Sequence, residues 1–289
     1  MRIIPPSELI INEDGSIFHL HLKPEQIADR IILTGDPDRV TVIAGHLDEI
    51  ECDVRSREFH SVTGHYAGKR ISIVSHGIGS DNIDIVLTEL DALANIDFAS
   101  RRPKEDFRQL TLLRIGTCGS LQPFAPIGTY VAAELSAGLD GVLYFYEGNE
   151  TVRKQDFEAQ LLQQLDWQIQ GLRPYVVPAD AGLLNQIADE RIIRGITIAA
   201  NGFYGPQGRH LRLAPTDPNL NYKIEKFEYQ GKKIINYEME SSALAGLSLL
   251  MGHRALTVCC IIAGRVSNEM NTAYRGSLDG LISLALQKI

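Results

Sequence analysis

The sequence predicts a single α/β domain built on a central sheet. Short apolar runs end repeatedly in glycine turns, at Leu33-Thr34-Gly35, Ser75-His76-Gly77 and Arg114-Ile115-Gly116, as buried strands do. Between such runs lie segments whose apolar residues recur on one helical face. The chain has 289 residues, with no linker, low-complexity segment or internal repeat, which suits one large domain. Hydrophobic residues at 44% and charged residues at 22% allow a sizeable core.

A formal net charge of -8 argues against general nucleic-acid binding, which needs a basic face. It leaves room for a local cluster of arginines on a small anionic substrate. No stretch approaches the ~20 apolar residues of a membrane span, so no membrane partner is expected. The opening Met1-Arg2-Ile3-Ile4-Pro5-Pro6 lacks the apolar segment and cleavage site of a signal peptide. Cys52, Cys118, Cys259 and Cys260 show no C-x-x-C spacing, a pattern of reduced, buried thiols in a cytoplasmic protein.

Taken in order, residues 1–16 form an irregular arm, and residues 17–289 form the domain. Residues 17–22 are expected to be extended. This would place His19 and His21 on one strand face, but no neighbouring Cys, His or carboxylate completes a metal site, so no metal is expected. Residues 30–34 read as a buried strand that breaks at Gly35-Asp36-Pro37-Asp38-Arg39, a turn into a helix capped by Asp38. Backbone N–H groups at such a start attract anions. Arg39 there is either a phosphate ligand or a solvated surface charge.

Arg55-Ser56-Arg57-Glu58-Phe59 is a charged patch ahead of a strand at 70–75. The turn His76-Gly77-Ile78-Gly79-Ser80 follows, and Ile83, Val86, Leu87, Leu90 and Leu93 mark a helix capped by Ser80 or Asp81. Gly77 and Gly79 lack the third glycine of a dinucleotide fingerprint, and no G-x-S-x-G nucleophile elbow is present. Residues 97–108 are a charged loop. Residues 128–133 are a strand, and Phe157, Leu161, Leu162, Leu165 and Ile169 mark a helix ending near Gly171. A strand at 196–200 feeds residues 201–209, a loop of aromatic, amide and guanidinium groups where ligands are read. After Tyr237-Glu238-Met239-Glu240 comes an almost wholly apolar, hence buried, helix through Met251. For its two glutamates, capping that helix and holding sugar hydroxyls are the alternatives. A strand at 257–263 ends at Gly264-Arg265, and Leu278, Leu281, Ile282 and Ala285 place a C-terminal helix on the core.

The chain centres on residues 111–120, Thr111-Leu112-Leu113-Arg114-Ile115-Gly116-Thr117-Cys118-Gly119-Ser120. An arginine within a buried strand needs a partner, because its charge must stay solvated or paired. Thr117 and the glycine turn lie at the strand's carboxyl end, where open α/β sheets bind ligands. Arg114 is therefore either an anion ligand or salt-bridged to a core carboxylate.

Four motifs in this order, Gly35 to Arg39, Arg114 to Thr117, Phe203 to Arg209 and Tyr237 to Ser241, resemble the nucleoside phosphorylase family, most closely its uridine phosphorylases. The resemblance covers roughly residues 17–289. It implies one α/β domain with a central mixed sheet, partly closed into a barrel and flanked by helices. It implies phosphate held by Gly35, Arg39, Arg114 and Thr117, with Arg57 of a neighbouring subunit. It gives Met239 and Glu240 the ribose hydroxyls, and His19 the 5′-hydroxyl across a subunit interface. Gln207 and Arg209 would read the uracil edge, with Phe203 and Arg265 beside the base. The implied partners are uridine, phosphate and further copies of the chain, as a dimer or a hexamer built of dimers with shared sites. Beyond co-substrate phosphate no cofactor is implied. Asn82 replaces a serine that binds a monovalent cation in bacterial members, which argues against that ion at Glu58. Gly205-Pro206 reverses the bacterial order and leaves that loop's shape open; residues 97–108 look like an insertion, and the first 16 lack a clear counterpart.

Breaking an N-glycosidic bond places positive charge on the ribose and negative charge on the base. Phosphate can meet the first and donors at Gln207 and Arg209 the second, so no general acid is needed. Three rivals stand. A hydrolase of the same fold needs water and no arginine cluster. A purine phosphorylase wants an aspartate near Arg265, which Gly264-Arg265-Val266-Ser267 lacks. A non-catalytic nucleoside-binding module would retain the pocket without turnover.

Overall fold

The structure, a computed structural model, describes residues 2–289. Strand β1 (Arg30–Thr34), helix α1 (Pro37–Ala44) and strands β2 (Glu49–Ser56), β3 (Phe59–Tyr66) and β4 (Lys69–Ser75) come first. Helix α2 (Ser80–Asn95) leads through a small hairpin, β5 (Ile96–Asp97) and β6 (Arg102–Pro103), to the central strand β7 (Thr111–Ser120). Then follow β8 (Tyr130–Gly138), α3 (Asn149–Val152), α4 (Gln155–Gln164), β9 (Tyr175–Pro178), α5 (Ala181–Gln186) and β10 (Ile192–Ala199). Helix α6 (Leu220–Lys226), β11 (Glu228–Tyr229), β12 (Lys232–Glu238), α7 (Ser241–Met251), β13 (Arg254–Gly264), β14 (Glu269–Met270) and α8 (Arg275–Lys288) complete the chain.

Strand β7 organises the sheet. One edge pairs in parallel with β13 along its length. The other edge is divided: residues 111–115 pair in parallel with β1, whereas Gly119 and Ser120 pair antiparallel with Tyr237 and Asn236 of β12. Strand β12 also joins β10, β10 joins β8, and β8 joins β13. The β12–β7 contact therefore closes five strands into a barrel, from which β1, β4, β3 and β2 extend as an open wing. Between Ile115 and Gly119 that edge of β7 has neither neighbour. The carboxyl ends of β1 and β12 converge on the gap, the place where α/β sheets receive ligands.

Apolar side chains fill both faces. Helices α2 and α7 cover one with Leu87, Leu90, Leu244 and Leu247. Helices α1 and α8 cover the other with Val40, Ile43, Leu281 and Ile282. The barrel interior is narrower and holds Cys118, Val131, Ile235, Cys259 and Ile261. Each fully buried Leu or Ile contributes about 1.5–3 kcal/mol, so these layers hold β7 rigidly.

Several local expectations are corrected. Residues 17–22 form a turn: the Leu22 carbonyl accepts from Ile17 N–H at 2.8 Å, and His21 adopts φ 56°. His19 and His21 thus share no strand face. Asp36, ahead of Pro37, caps α1 by accepting from Asp38 N–H; proline fits the first helical position, which leaves the preceding residue as cap. Gly79 caps α2, with Ser80 its first helical residue. Helix α4 ends at Gln164 rather than near Gly171. Residues 2–16 lie on the body rather than free of it. Leu9 is buried, and the Arg101 guanidinium donates to the carbonyls of Ile4 (2.7 Å), Pro5 (3.2 Å) and Leu9. Arg101 belongs to the charged 97–108 loop, so the apparent insertion holds the arm. Among the described residues no helix is long and apolar enough to cross a membrane.

Candidate active site

A cavity of about 510 Å³ occupies the gap beside β7, within the range of small-molecule sites. The turn after β1 brings Gly35, Asp36 and Arg39; β7 brings Arg114, Gly116 and Thr117; the end of β12 brings Tyr237, Glu238, Met239 and Glu240. The 201–209 loop adds Phe203, Gln207 and Arg209, and β13 and the segment beyond it add Ile262, Ala263, Met270 and Tyr274.

Arg114 is buried, and all but one of its donors have partners. Its Nη1 donates to Glu238 Oε2 at 3.0 Å and its Nη2 to Glu240 Oε2. Its Nε donates to His76 Nε2 at 3.1 Å, and Cys259 Sγ lies 3.5 Å from Nη1. Burial opposes the charge, but Glu240 and Glu238 outweigh it and hold the guanidinium pKa above its usual range. His76 is fully buried; burial, and then the Arg114 and Arg39 charges, push its pKa well below the usual histidine value. The neutral ring accepts from Arg114, so its proton sits on Nδ1. Gly116 makes this packing possible, since a Cβ there would lie 2.7 Å from Arg114 Nη1 and 2.9 Å from Cys259 Sγ.

The two glutamates divide their work. Glu238 accepts from the backbone N–H of Glu240 at 3.0 Å and from Ser241 N–H and Oγ, which neutralises the positive start of α7. Glu240 reaches the cavity, where Oε1 accepts from Gly79 N–H at 2.7 Å. Burial pushes the Glu240 pKa up against the pull of Arg114, with Glu238 adding to the rise. Gly79 can turn its N–H inward because it sits at φ 98°, a conformation glycine adopts without steric cost.

The other cavity arginines lack carboxylate partners. Arg39 donates to Thr34 Oγ1 at 2.9 Å, and burial lowers its pKa. Arg209 donates to the Phe203 carbonyl at 2.5 Å and Gln207 Oε1 at 2.6 Å. Its guanidinium lies over the Phe203 ring, 3.6 Å from the centroid. Burial and then Arg265 bring the Arg209 pKa down to about 10. Arg265 donates to the Gln207 carbonyl at 3.1 Å, with its own pKa also lowered by burial. A buried charge without a counter-ion is costly. The cavity is therefore lined by two arginines without ion-pair partners, Arg39 and Arg209, and by the Glu240 carboxylate, with Arg265 behind Gln207.

The model of the Phosphorylase superfamily matches residues 29–280. The chain belongs to this superfamily. A uridine phosphorylase of Thermococcus kodakarensis is 29% identical over 267 residues, covering 90% of this chain and 82% of that one. The uridine phosphorylase of Escherichia coli is 28% identical over 261 residues, covering 90% of each. A solved Trypanosoma brucei nucleoside phosphorylase, described as showing uridine phosphorylase activity, superposes with a TM-score of 0.88 at 28% identity, covering 97% of this chain and 98% of that one.

Within this superfamily chain, the structure brings Gly35, Arg39, Arg114, Thr117, Phe203, Gln207, Arg209, Met239 and Glu240 around one cavity. Arg265 reaches it through Gln207. His19 and Arg57 are not among its lining residues. They lie together elsewhere: Phe18 packs edge-on to His19, with centroids 4.8 Å apart, and Arg57 sits 5.1 Å from the Phe18 ring centre. Glu58 lines the cavity's edge. His76 and Gly79 were missed as site residues, although the turn that carries them was visible. Its incomplete nucleotide fingerprint pointed to no ligand, and only the fold shows that it faces Arg114 and Glu240.

Proposed function

We propose that this phosphorylase-superfamily chain catalyses the reversible phosphorolysis of uridine and 2′-deoxyuridine to uracil and the pentose 1-phosphate, in nucleoside salvage. One observation carries the reading: Arg39 and Arg209, neither ion-paired, line one cavity together with Glu240, and Arg265 backs that cavity through Gln207. Glycosidic cleavage by phosphate makes this demand. A phosphate oxygen bonds to C1′ while the C1′–N1 bond breaks, and its electron pair leaves on the base. Arg39, the backbone at Gly35, Thr117 and the spare Arg114 donor suit the phosphate; Met239 and Glu240 suit the ribose hydroxyls. Arg209, Arg265 and Gln207 meet the anion forming on uracil, where preorganised donors act most strongly. Solvent supplies the proton that completes uracil, and no cofactor beyond phosphate is required.

Gln207 offers a donor and an acceptor, and Arg209 only donors. Together they match an N3–H flanked by two carbonyls and mismatch the unprotonated N3 and amine of cytosine. The enzyme works as a cytoplasmic homo-oligomer in which His19 and Arg57 serve a neighbour's cavity. The relatives named as uridine phosphorylases support this reading.

The test is uracil release from uridine with and without phosphate. Phosphate-dependent release, with ribose 1-phosphate as co-product, is expected. Equal rates without phosphate would replace the assignment with hydrolysis, and tight binding without turnover would reduce the chain to a binding module. Thymidine should react more slowly, cytidine and inosine not measurably. Turnover of inosine comparable to uridine would overturn the pyrimidine assignment.

A further inference from the structure

Glu89, on α2, lies outside the cavity, buried beneath the turn that carries His19. Its Oε1 lies 2.7 Å from His19 Nδ1. The same carboxylate accepts His19 N–H at 3.0 and 3.1 Å and Leu20 N–H at 2.8 Å. An ionised carboxylate only accepts, so the Nδ1 atom facing it carries a hydrogen. In whatever fraction the ring is neutral, the lone pair lies on Nε2, the tautomer being set by the bond the other nitrogen makes. Three N–H groups of one turn thus converge on one carboxylate, fixing both the backbone and the ring.

We propose that Glu89 is a positioning residue for the nucleoside's 5′-hydroxyl, acting through His19. It holds the imidazole so that Nε2 presents an acceptor to that hydroxyl, and its charge against Nδ1–H strengthens the acceptor. This rests on the reading that His19 serves a neighbouring copy's cavity. It explains why a buried carboxylate sits where no cation from the core meets it. Phe18 links the same turn to Arg57, so the carboxylate steadies a small platform rather than a lone side chain.

The experiment compares uridine with 5′-deoxyuridine, which lacks the hydroxyl, in wild type, Glu89→Gln, Glu89→Asp and His19→Ala. Glu89→Gln should lower kcat/KM for uridine about three- to tenfold, the range of one net hydrogen bond, while leaving 5′-deoxyuridine unchanged. Glu89→Asp, which keeps the charge, should recover part of the uridine preference. Equal losses on both substrates would mean that Glu89 merely holds the turn, overturning the proposal. An active wild type in which His19→Ala spares uridine would instead overturn the shared-site reading on which the proposal rests. Should Glu89→Gln fail to fold, nitrogen NMR of wild-type His19 decides the matter. A neutral ring protonated on Nδ1 supports the proposal, and one protonated on Nε2 refutes it.

Discussion

Arg114 and Arg39 line one cavity and differ in how their charges are met. Arg114 lies between Glu238 and Glu240, whereas Arg39 has a threonine hydroxyl. Removing either should cut phosphorolysis roughly 100- to 1,000-fold, as loss of a transition-state donor does. Their effects on stability should diverge. Arg114→Ala strands two buried carboxylates and should cost about 3–5 kcal/mol in urea unfolding; Arg39→Ala strands none and should leave the midpoint nearly unchanged or raised. Equal destabilisation would refute the difference in pairing. His76 adds a pH term. Its folded pKa is depressed, so the unfolded chain takes up a proton first as acid is added, below the ordinary value of about 6.5. The stability it contributes is therefore complete above that pH and lost as pH falls below it, by up to about 1.4 kcal/mol per pH unit. His76→Gln, with an acceptor that does not titrate, should flatten that decline between pH 6.5 and 5.5. At this scale the sequence left Arg114 open between anion ligand and partner of core carboxylates. The fold pairs it with Glu238 and Glu240, 124 and 126 positions along the chain, and all three line the cavity.

Among the elements, β7 carries most of the site because one edge changes neighbours partway along. Gly116 lies in that interval, and Gly116→Ala should destabilise by about 1–3 kcal/mol, since the guanidinium it would meet is anchored and cannot retreat. Gly119→Ala is the control, because a Cβ there meets nothing nearer than 3.7 Å. Chemical denaturation of the pair checks the contrast, and equal stability in both would sink the packing argument. Legibility tracked the strength of the apolar signal. Strand β7 and helix α7 were visible because their residues are apolar and nearly all buried. Of the hairpin of β2 and β3 the sequence shows only the charged turn at 55–59, since β2 is exposed or half-buried throughout and the buried positions of β3 include His60, Ser61 and Thr63, which carry no apolar signal. Strand β9, four residues long, is too short for any period to show.

For the whole molecule, His19 and Arg57 stand away from the cavity in one chain. If each completes a neighbour's site, subunits carrying His19→Ala mixed with subunits carrying Glu240→Ala should regain activity, because some sites then contain neither change. Full activity from a monomer at assay dilution would end that reading. The partly closed barrel follows from the resemblance rather than from periodicity. An apolar run declares that it is buried but not which edge it shares, and the closure rests on two residue pairs, Asn236 with Ser120 and Tyr237 with Gly119. The arm and the 97–108 loop had no legible role, because the bonds from Arg101 to Ile4, Pro5 and Leu9 join stretches over 90 positions apart.

The unmatched arginines have a consequence for heat as well as for chemistry. Arg39, Arg209 and Arg265 make the empty protein electrostatically uncomfortable, and any small anion that enters relieves part of that discomfort. Phosphate, and sulfate as an inert substitute, should raise the melting temperature, by an amount equivalent to about 2.7 kcal/mol at a hundredfold excess over Kd. The rise should disappear in Arg39→Ala and be absent from sodium chloride controls matched in ionic strength. The protein would then keep its thermal reserve in its co-substrate, sturdy where phosphate is plentiful and softer where it is scarce.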